Sequence, residues 1–147
     1  MAYITNTDIQ ERVGAAAYLQ LADDNLDGVA DAVVVDEARL GAEGEVNGYL
    51  ARRYQVPIDV TARPELAGVL ASITLDLAEL RLRARRPPVP QPMLDAGRQA
   101  IDWLQRVADG RIDLPAAAEL PANPSHGLTA KTRGAKRVLS RDELADF

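Results

Sequence analysis

Apolar residues recur at steps of three and four positions through much of the chain, which is the spacing of amphipathic helices. One series runs from about Asp31 to Tyr54, and a second follows Pro64, a residue that suits the first turn of a helix. The apolar positions of the first series are Val35, Ala38, Ala42, Val46, Tyr49 and Leu50, and those of the second are Leu66, Val69, Leu70, Ile73, Leu77 and Leu80. Because the second stripe is broad, we expect that helix to be the central core element.

Two shorter patterns precede the first long series. The segment from Thr7 to Gln10 has the form of a capping box, in which side chains at both ends satisfy free amides of the first turn. A helix should begin there, and Gly14 should interrupt it before a second helical piece that ends near Leu21. The sequence thus predicts short helices at the start of the chain.

The character of the chain changes after Gly110. A helix is expected from about Pro92 to Asp109, with Gly110 at its C-terminal end. Beyond it, Pro and Gly punctuate a stretch without sustained period. We therefore predict an all-α fold, with a bundle-like domain of four to five helices over residues 1–110 and an extended C-terminal arm over residues 111–147.

The composition removes several classes of chemistry. The chain has no cysteine, so disulfides, thiolate nucleophiles and cysteine-based metal sites are excluded. His126 is the single histidine, and a hydrolase built on Ser125 and His126 would need adjacent residues to adopt a geometry that they rarely reach. We therefore expect neither enzymatic activity nor a cofactor. No stretch of about 18 apolar residues occurs, so no membrane association is expected.

Charge is distributed unevenly along the chain. Residues 1–80 carry 5 basic and 14 acidic side chains, whereas residues 81–114 carry 7 and 4. An acidic first part and a basic second part favour head-to-tail packing of identical copies, since opposite surfaces attract. The alternative is that both are ordinary solvated faces.

The acidic loop, residues 23–31, is the sharpest local motif. Asp23, Asn25, Asp27 and Asp31 occupy positions 1, 3, 5 and 9 of a calcium-binding loop, with Gly28 at the bend. Position 12 holds Val34 in place of the usual bidentate Glu. The motif predicts either a calcium-responsive binding module or a polar turn whose side chains satisfy local amides.

Basic residues concentrate in the arginine run, residues 81–86, and again in the arm. With an acidic chain and no interleaved aromatics, they favour an acidic protein surface as partner over sequence-specific nucleic acid. A solvated helix end is the alternative for the arginine run. The predicted interaction residues are Arg81, Arg83, Arg85, Arg86, Lys131, Arg133, Lys136, Arg137 and Phe147.

Three glycines lie within the first long helical pattern, at Gly41, Gly44 and Gly48. They lack the preceding strand and the following Lys of a phosphate-binding loop. We expect these small residues to let another helix approach closely.

The order of these features resembles the Mu-like phage head-tail connector, or neck adaptor, family. The start MAYIT, the Asp-Gly turn, the basic helix end before Pro87 and the ending from Leu139 to Phe147 contribute to the resemblance. Its most specific part is residues 48–54, GYLARRY, followed by Pro57. The similarity extends over nearly the whole chain.

The resemblance implies a structural virion protein of the neck, assembled in the host cytoplasm. It implies a ring of about twelve identical copies that binds the portal protein on one side and a tail terminator or tail completion protein on the other. The C-terminal arm would reach a neighbour or the portal. The family supplies no catalytic residues.

Overall fold

The computed structural model describes residues 2–115, which form five α-helices and no strand. The helices are α1 Asn6–Val13, α2 Ala15–Ala22, α3 Ala32–Leu50, α4 Pro64–Ala84 and α5 Gln91–Ala108. The all-α prediction is confirmed.

The capping box of α1 lies two residues earlier than the sequence pattern indicated. Thr5 Oγ1 accepts the amide of Asp8 over 3.2 Å, and Asp8 Oδ2 accepts the amide of Thr5 over 2.7 Å. The prediction of Thr7 as the cap is therefore wrong. A carboxylate in the first turn interacts favourably with the positive end of the helix dipole, which the neutral Gln10 does not.

Gly14 ends α1 and begins α2, as the pattern predicted. Its φ of +86° is a backbone conformation that glycine adopts at little cost. The two short helices are therefore held at an angle that an unbroken helix would not allow.

Helix α4 is the centre of the core, because it packs against each of the other four described helices. Pro64 occupies its first turn as expected. The apolar side chains that α4 buries are Leu66, Leu70, Ile73, Leu77, Ala78 and Leu82. Each large aliphatic side chain buried in this way contributes about 1.5–3 kcal/mol of transfer free energy.

The N-terminal segment is tied to α3 by a buried polar network. The Tyr3 hydroxyl donates to Asn47 Oδ1 over 2.6 Å and accepts the amide of Ile58 over 2.9 Å. Glu43 Oε1 accepts the amide of Tyr3 over 3.1 Å. Burial raises the pKa of Tyr3, and Glu43 acts in the same direction. These contacts tie the N-terminal segment to α3 and tie Ile58, in the segment after α3, to Tyr3.

The described part of the predicted arm, residues 111–115, follows the end of α5 and lies beside the end of α3. Leu114 is buried, and its amide donates to the Tyr54 hydroxyl over 2.9 Å. Asp113 pairs with Arg53 over 2.8 Å. The chain therefore passes the C-terminal end of α3 before it continues beyond the described residues.

Candidate assembly surface

The acidic loop and the arginine run meet in the folded chain. Arg85 Nη2 donates to Asp24 Oδ2 over 2.6 Å, and Arg86 Nη2 lies 3.3 Å from Asp24 Oδ1. Both guanidinium groups also donate to backbone carbonyls, Arg85 to Leu21 and Arg86 to Asp23, each over 3.0 Å. The acidic loop and the arginine run, which the sequence analysis treats as two separate binding regions, therefore bind each other within one molecule.

Electrostatic interactions stabilise both the Asp24 carboxylate and the two arginines in this contact. The hydrogen bond from Arg85 holds the pKa of Asp24 below its ordinary value, and Arg86 acts in the same direction. The two arginines directly follow α4, where cations interact favourably with the negative end of the helix dipole. The contact therefore favours the ionised form of Asp24.

The acidic loop is ordered from within by its own carboxylates. Asp23 is buried, and its two oxygens accept the amides of Leu26 over 2.6 Å and Gly28 over 2.9 Å. Asp31 Oδ2 accepts the amide of Asp24 over 2.9 Å. Local hydrogen bonds of this kind are what a polar turn uses in place of helical ones.

The four predicted calcium ligands take part in this local network. Asp27 Oδ1 accepts the amide of Val29 over 2.8 Å, and the Asn25 side chain donates to Asp27 Oδ2 over 3.1 Å. Among residues 2–115, no group of three or more His, Cys, Asp or Glu side chains is arranged to hold a metal ion. Calcium binding stays a prediction.

The remaining arginines of the run are paired within the chain as well. Arg81 Nη2 lies 2.9 Å from Glu45 Oε2, and Arg83 Nη2 lies 2.8 Å from the buried Glu79. Arg81 also packs over Gly41, where an added Cβ would lie 3.0 Å from its Nη1 atom. Gly41 therefore admits a side chain of α4 from the same molecule.

Large exposed apolar side chains are concentrated in one part of the described chain. The exposed fractions are 83% for Leu26, 66% for Val29, 79% for Val33 and 57% for Leu40. Leu26 and Val29 lie on the acidic loop, and Val33 and Leu40 lie on α3. Contiguous exposed apolar residues mark protein–protein contact sites, and of these four Val33 and Leu40 line a common groove.

Val33 and Leu40 are seven positions apart and so occupy the same face of α3, two turns from each other. A shallow groove on this face is lined by Val33, Asp36, Glu37, Leu40 and Gly41. The predicted inward stripe of α3 did not include Val33 and Leu40. The sequence does indicate their exposure, since aliphatic residues outside the inward stripe lie on a different face of the helix.

Leu26 is unusual in its backbone as well as in its exposure. Its φ is +62°, in the left-handed region of the backbone that residues other than glycine rarely adopt. The Asp23 hydrogen bond to its amide helps to hold this conformation. An exposed leucine in a strained conformation contributes nothing evident to the fold.

The other sequence-predicted interaction residues lie outside the described residues. They are Lys131, Arg133, Lys136, Arg137 and Phe147, and the same holds for Ser125 and His126. Within the described part, none of the helices combines the length and apolar character needed to cross a membrane.

The chain was also compared with known proteins. No curated protein matches it. Residues 3–131 match the family described as Bacteriophage Mu, Gp36, which confirms the Mu-like phage part of the resemblance. The chain therefore belongs to the bacteriophage Mu Gp36 family.

Proposed function

We propose that the chain is a structural virion protein, a head-tail connector that forms a ring between the portal and the tail. Membership of a bacteriophage Mu family supports a phage role. The resemblance of residues 48–54 and Pro57 to neck adaptors supports the more specific part. In this proposal the protein binds, and catalyses nothing.

The observation that carries the proposal is the group of exposed apolar residues between Leu26 and Leu40. A lone monomer gains no stability from leaving these side chains in water, whereas a subunit gains from covering them. Leu26 strengthens the point because its strained backbone and its exposure both disfavour the isolated chain.

We propose a head-to-tail contact between copies in which the arginine run takes no part, because its four arginines pair with Asp24, Glu45 and Glu79 of the same chain. The acidic excess lies in the first 80 residues and the basic excess follows it. Contacts between unlike surfaces are heterologous, and heterologous contacts close into rings when the rotation between copies permits. We propose about twelve copies, with the portal protein and a tail terminator or tail completion protein as further partners.

The charged side chains near the core have structural roles that suit a scaffold. Glu79 is buried between Arg83 and Arg12, with Arg12 Nε 3.5 Å away. Arg12 also pairs with Asp76 over 2.6 Å. The pairs of Arg12 with Asp76 and Glu79 connect α1 to α4, so these charged side chains stabilise the packing of the two helices.

Immunoelectron microscopy of intact phage particles tests the proposed place in the virion. Antibodies against the chain should label the junction between head and tail, and particles lacking the chain should have heads without attached tails. Particles that assemble and contain tails without this protein would overturn the proposal.

A further inference from the structure

The chain has three places where Asp or Asn is followed directly by Gly: Asp27–Gly28, Asn47–Gly48 and Asp109–Gly110. At such a pair the backbone nitrogen of the glycine can attack the side-chain carbonyl carbon of the preceding residue, because the glycine has no Cβ to hinder the approach. The product is a cyclic imide, a succinimide. The surroundings of the three pairs differ, so we expect their rates of ring closure to differ as well.

The first pair lies in the acidic loop, where Asp27 and Gly28 are both exposed. Gly28 has a φ of +84°, and a Cβ built on it meets nothing within 4 Å. The Asp27 carboxyl group folds back over the Gly28 peptide, since its Oδ1 atom accepts the amide of Val29 over 2.8 Å. This Asx turn holds the carboxyl group and the Gly28 amide close together, which raises their effective concentration.

The loop also supplies the groups that assist ring closure. The nucleophile, the Gly28 nitrogen, donates to Asp23 Oδ2 over 2.9 Å, and Asp23 is buried. A carboxylate in this position can act as a general base. The Val29 amide and the Asn25 side chain donate to the two carboxyl oxygens of Asp27, over 2.8 and 3.1 Å. Such donors stabilise the negative charge that develops on these oxygens during attack.

The other two pairs have different surroundings. The Gly110 amide donates to the backbone oxygen of Val107 over 3.1 Å, and a peptide carbonyl is a much weaker base than a carboxylate. Asn47–Gly48 lies inside α3, where backbone amides are engaged in helical hydrogen bonds and the backbone is held rigid. Ring closure in the folded chain should therefore be slower at both pairs.

We propose that Asp27 and Gly28 form a succinimide spontaneously in the folded chain, with Asp23 as the general base, and that hydrolysis then converts Asp27 to isoaspartate. A bond forms between Asp27 Cγ and the Gly28 nitrogen, and the bond from Cγ to one carboxylate oxygen breaks. That oxygen leaves as water, with the Gly28 amide proton, transferred through Asp23, and one proton from solvent. Water then attacks the former backbone carbonyl of Asp27 and breaks its bond to the Gly28 nitrogen, which leaves a free carboxylate and releases a proton.

The product changes the part of the loop that carries Leu26 and Val29. In isoaspartate the backbone passes through the Cβ atom, so the chain between these two exposed apolar residues becomes one carbon atom longer. Their relative positions therefore change as the protein ages. The reaction needs no second copy, so the inference is independent of the proposed function.

Peptide mapping of the full-length protein tests the reaction. The native chain is incubated at neutral pH and digested under mildly acidic conditions, and the peptides that contain the three pairs are followed by mass spectrometry. The succinimide peptide is lighter by one water, and isoaspartate is detected by enzymatic methylation with an isoaspartyl methyltransferase. We expect product at Asp27–Gly28 to form about tenfold faster than at Asp109–Gly110.

The same chain in urea is the control for the role of the fold. There the two Asp-Gly pairs should react at similar rates, and Asn47–Gly48 should react fastest, because ammonia leaves more readily than the oxygen of a carboxylate. Equal rates at Asp27–Gly28 and Asp109–Gly110 in the native chain would overturn the inference. A preference for Asp27–Gly28 that persists in urea would do the same.

A pair of variants tests the general base. Asp23→Asn should slow the formation of product at Asp27 about tenfold and leave the rate at Asp109 unchanged. Asp31→Asn is the matched control, since it makes the same charge change in the loop at a residue that does not accept the amide of Gly28. A reaction that is unchanged or faster in Asp23→Asn, or slowed equally by both variants, would contradict the assignment of Asp23.

Discussion

Arg85 donates to Asp24 across 2.6 Å, although 61 positions separate the two residues in the sequence. The contact joins the end of α4 to the loop that precedes α3. It holds the loop that carries the exposed Leu26 and Val29 against the end of α4. The positions of these two side chains therefore depend on the clamp that Asp24 forms with Arg85 and Arg86.

The clamp predicts a pH dependence. Because the folded chain lowers the pKa of Asp24, the ionised carboxylate stabilises the fold above the unfolded pKa of about 3.9. This contribution is lost as the pH falls through the lower folded-state pKa. Asp24→Asn should therefore reduce stability at pH 7 and make urea midpoints less sensitive to pH below about 4. A variant with the same acid dependence as wild type would contradict the clamp.

Leu26→Asn should separate stability from assembly. Asparagine tolerates the left-handed conformation better than leucine, so the free energy of unfolding should increase by about 1 kcal/mol. The same change removes the most exposed of the four large apolar side chains. We expect a higher urea midpoint together with weaker self-association. Unchanged association would remove Leu26 from the contact.

Gly44→Ala distinguishes two roles for the glycines of α3. A Cβ at Gly44 meets nothing within 4 Å, so alanine should stabilise the isolated chain by about 0.5–1 kcal/mol. If a neighbouring copy approaches this glycine, ring formation should decrease despite the higher stability. Thermal unfolding and native mass measured on the same variant decide between the roles. Gly41→Ala is the comparison, since there the Cβ meets Arg81 of the same chain.

Calcium should have little effect on thermal stability, because the amides of the chain already occupy the Asp23 carboxylate. A ligand present at 100 times its dissociation constant would stabilise the chain by about 2.7 kcal/mol. Differential scanning fluorimetry with millimolar calcium, with magnesium as the control, measures the difference. A calcium-specific increase in the midpoint, lost in Asp27→Ala, would instead favour the calcium-responsive module.

The helices could be predicted from the sequence because helix formation depends mainly on residues that are close together along the chain. The apolar series of α3 and α4, the break at Gly14 and the start at Pro64 follow from spacing and backbone chemistry. The start of α1 was misplaced because two overlapping capping patterns compete. In the folded chain the earlier one is favoured by Asp8 and by the anchoring of Tyr3 to Glu43.

The candidate surface was harder to predict because it depends on contacts between distant residues. Charge alone indicated that the arginine run would bind acids, and it could not indicate that Asp24 and Glu45 of the same chain are those acids. Val33 and Leu40 were visible as aliphatic residues outside the inward stripe. Their exposure could not be predicted, because it depends on the fact that no other described element covers them.

Native mass by multi-angle light scattering, over a range of protein concentrations and with portal rings of the same phage, tests the ring most directly. The expected result is conversion of the 15.9 kDa chain into a closed ring, or its joining the portal in a fixed ratio. Val33→Ser with Leu40→Ser should weaken that assembly, and Ser72→Ala should not. A chain that stays monomeric at every concentration and ignores the portal would contradict the connector function.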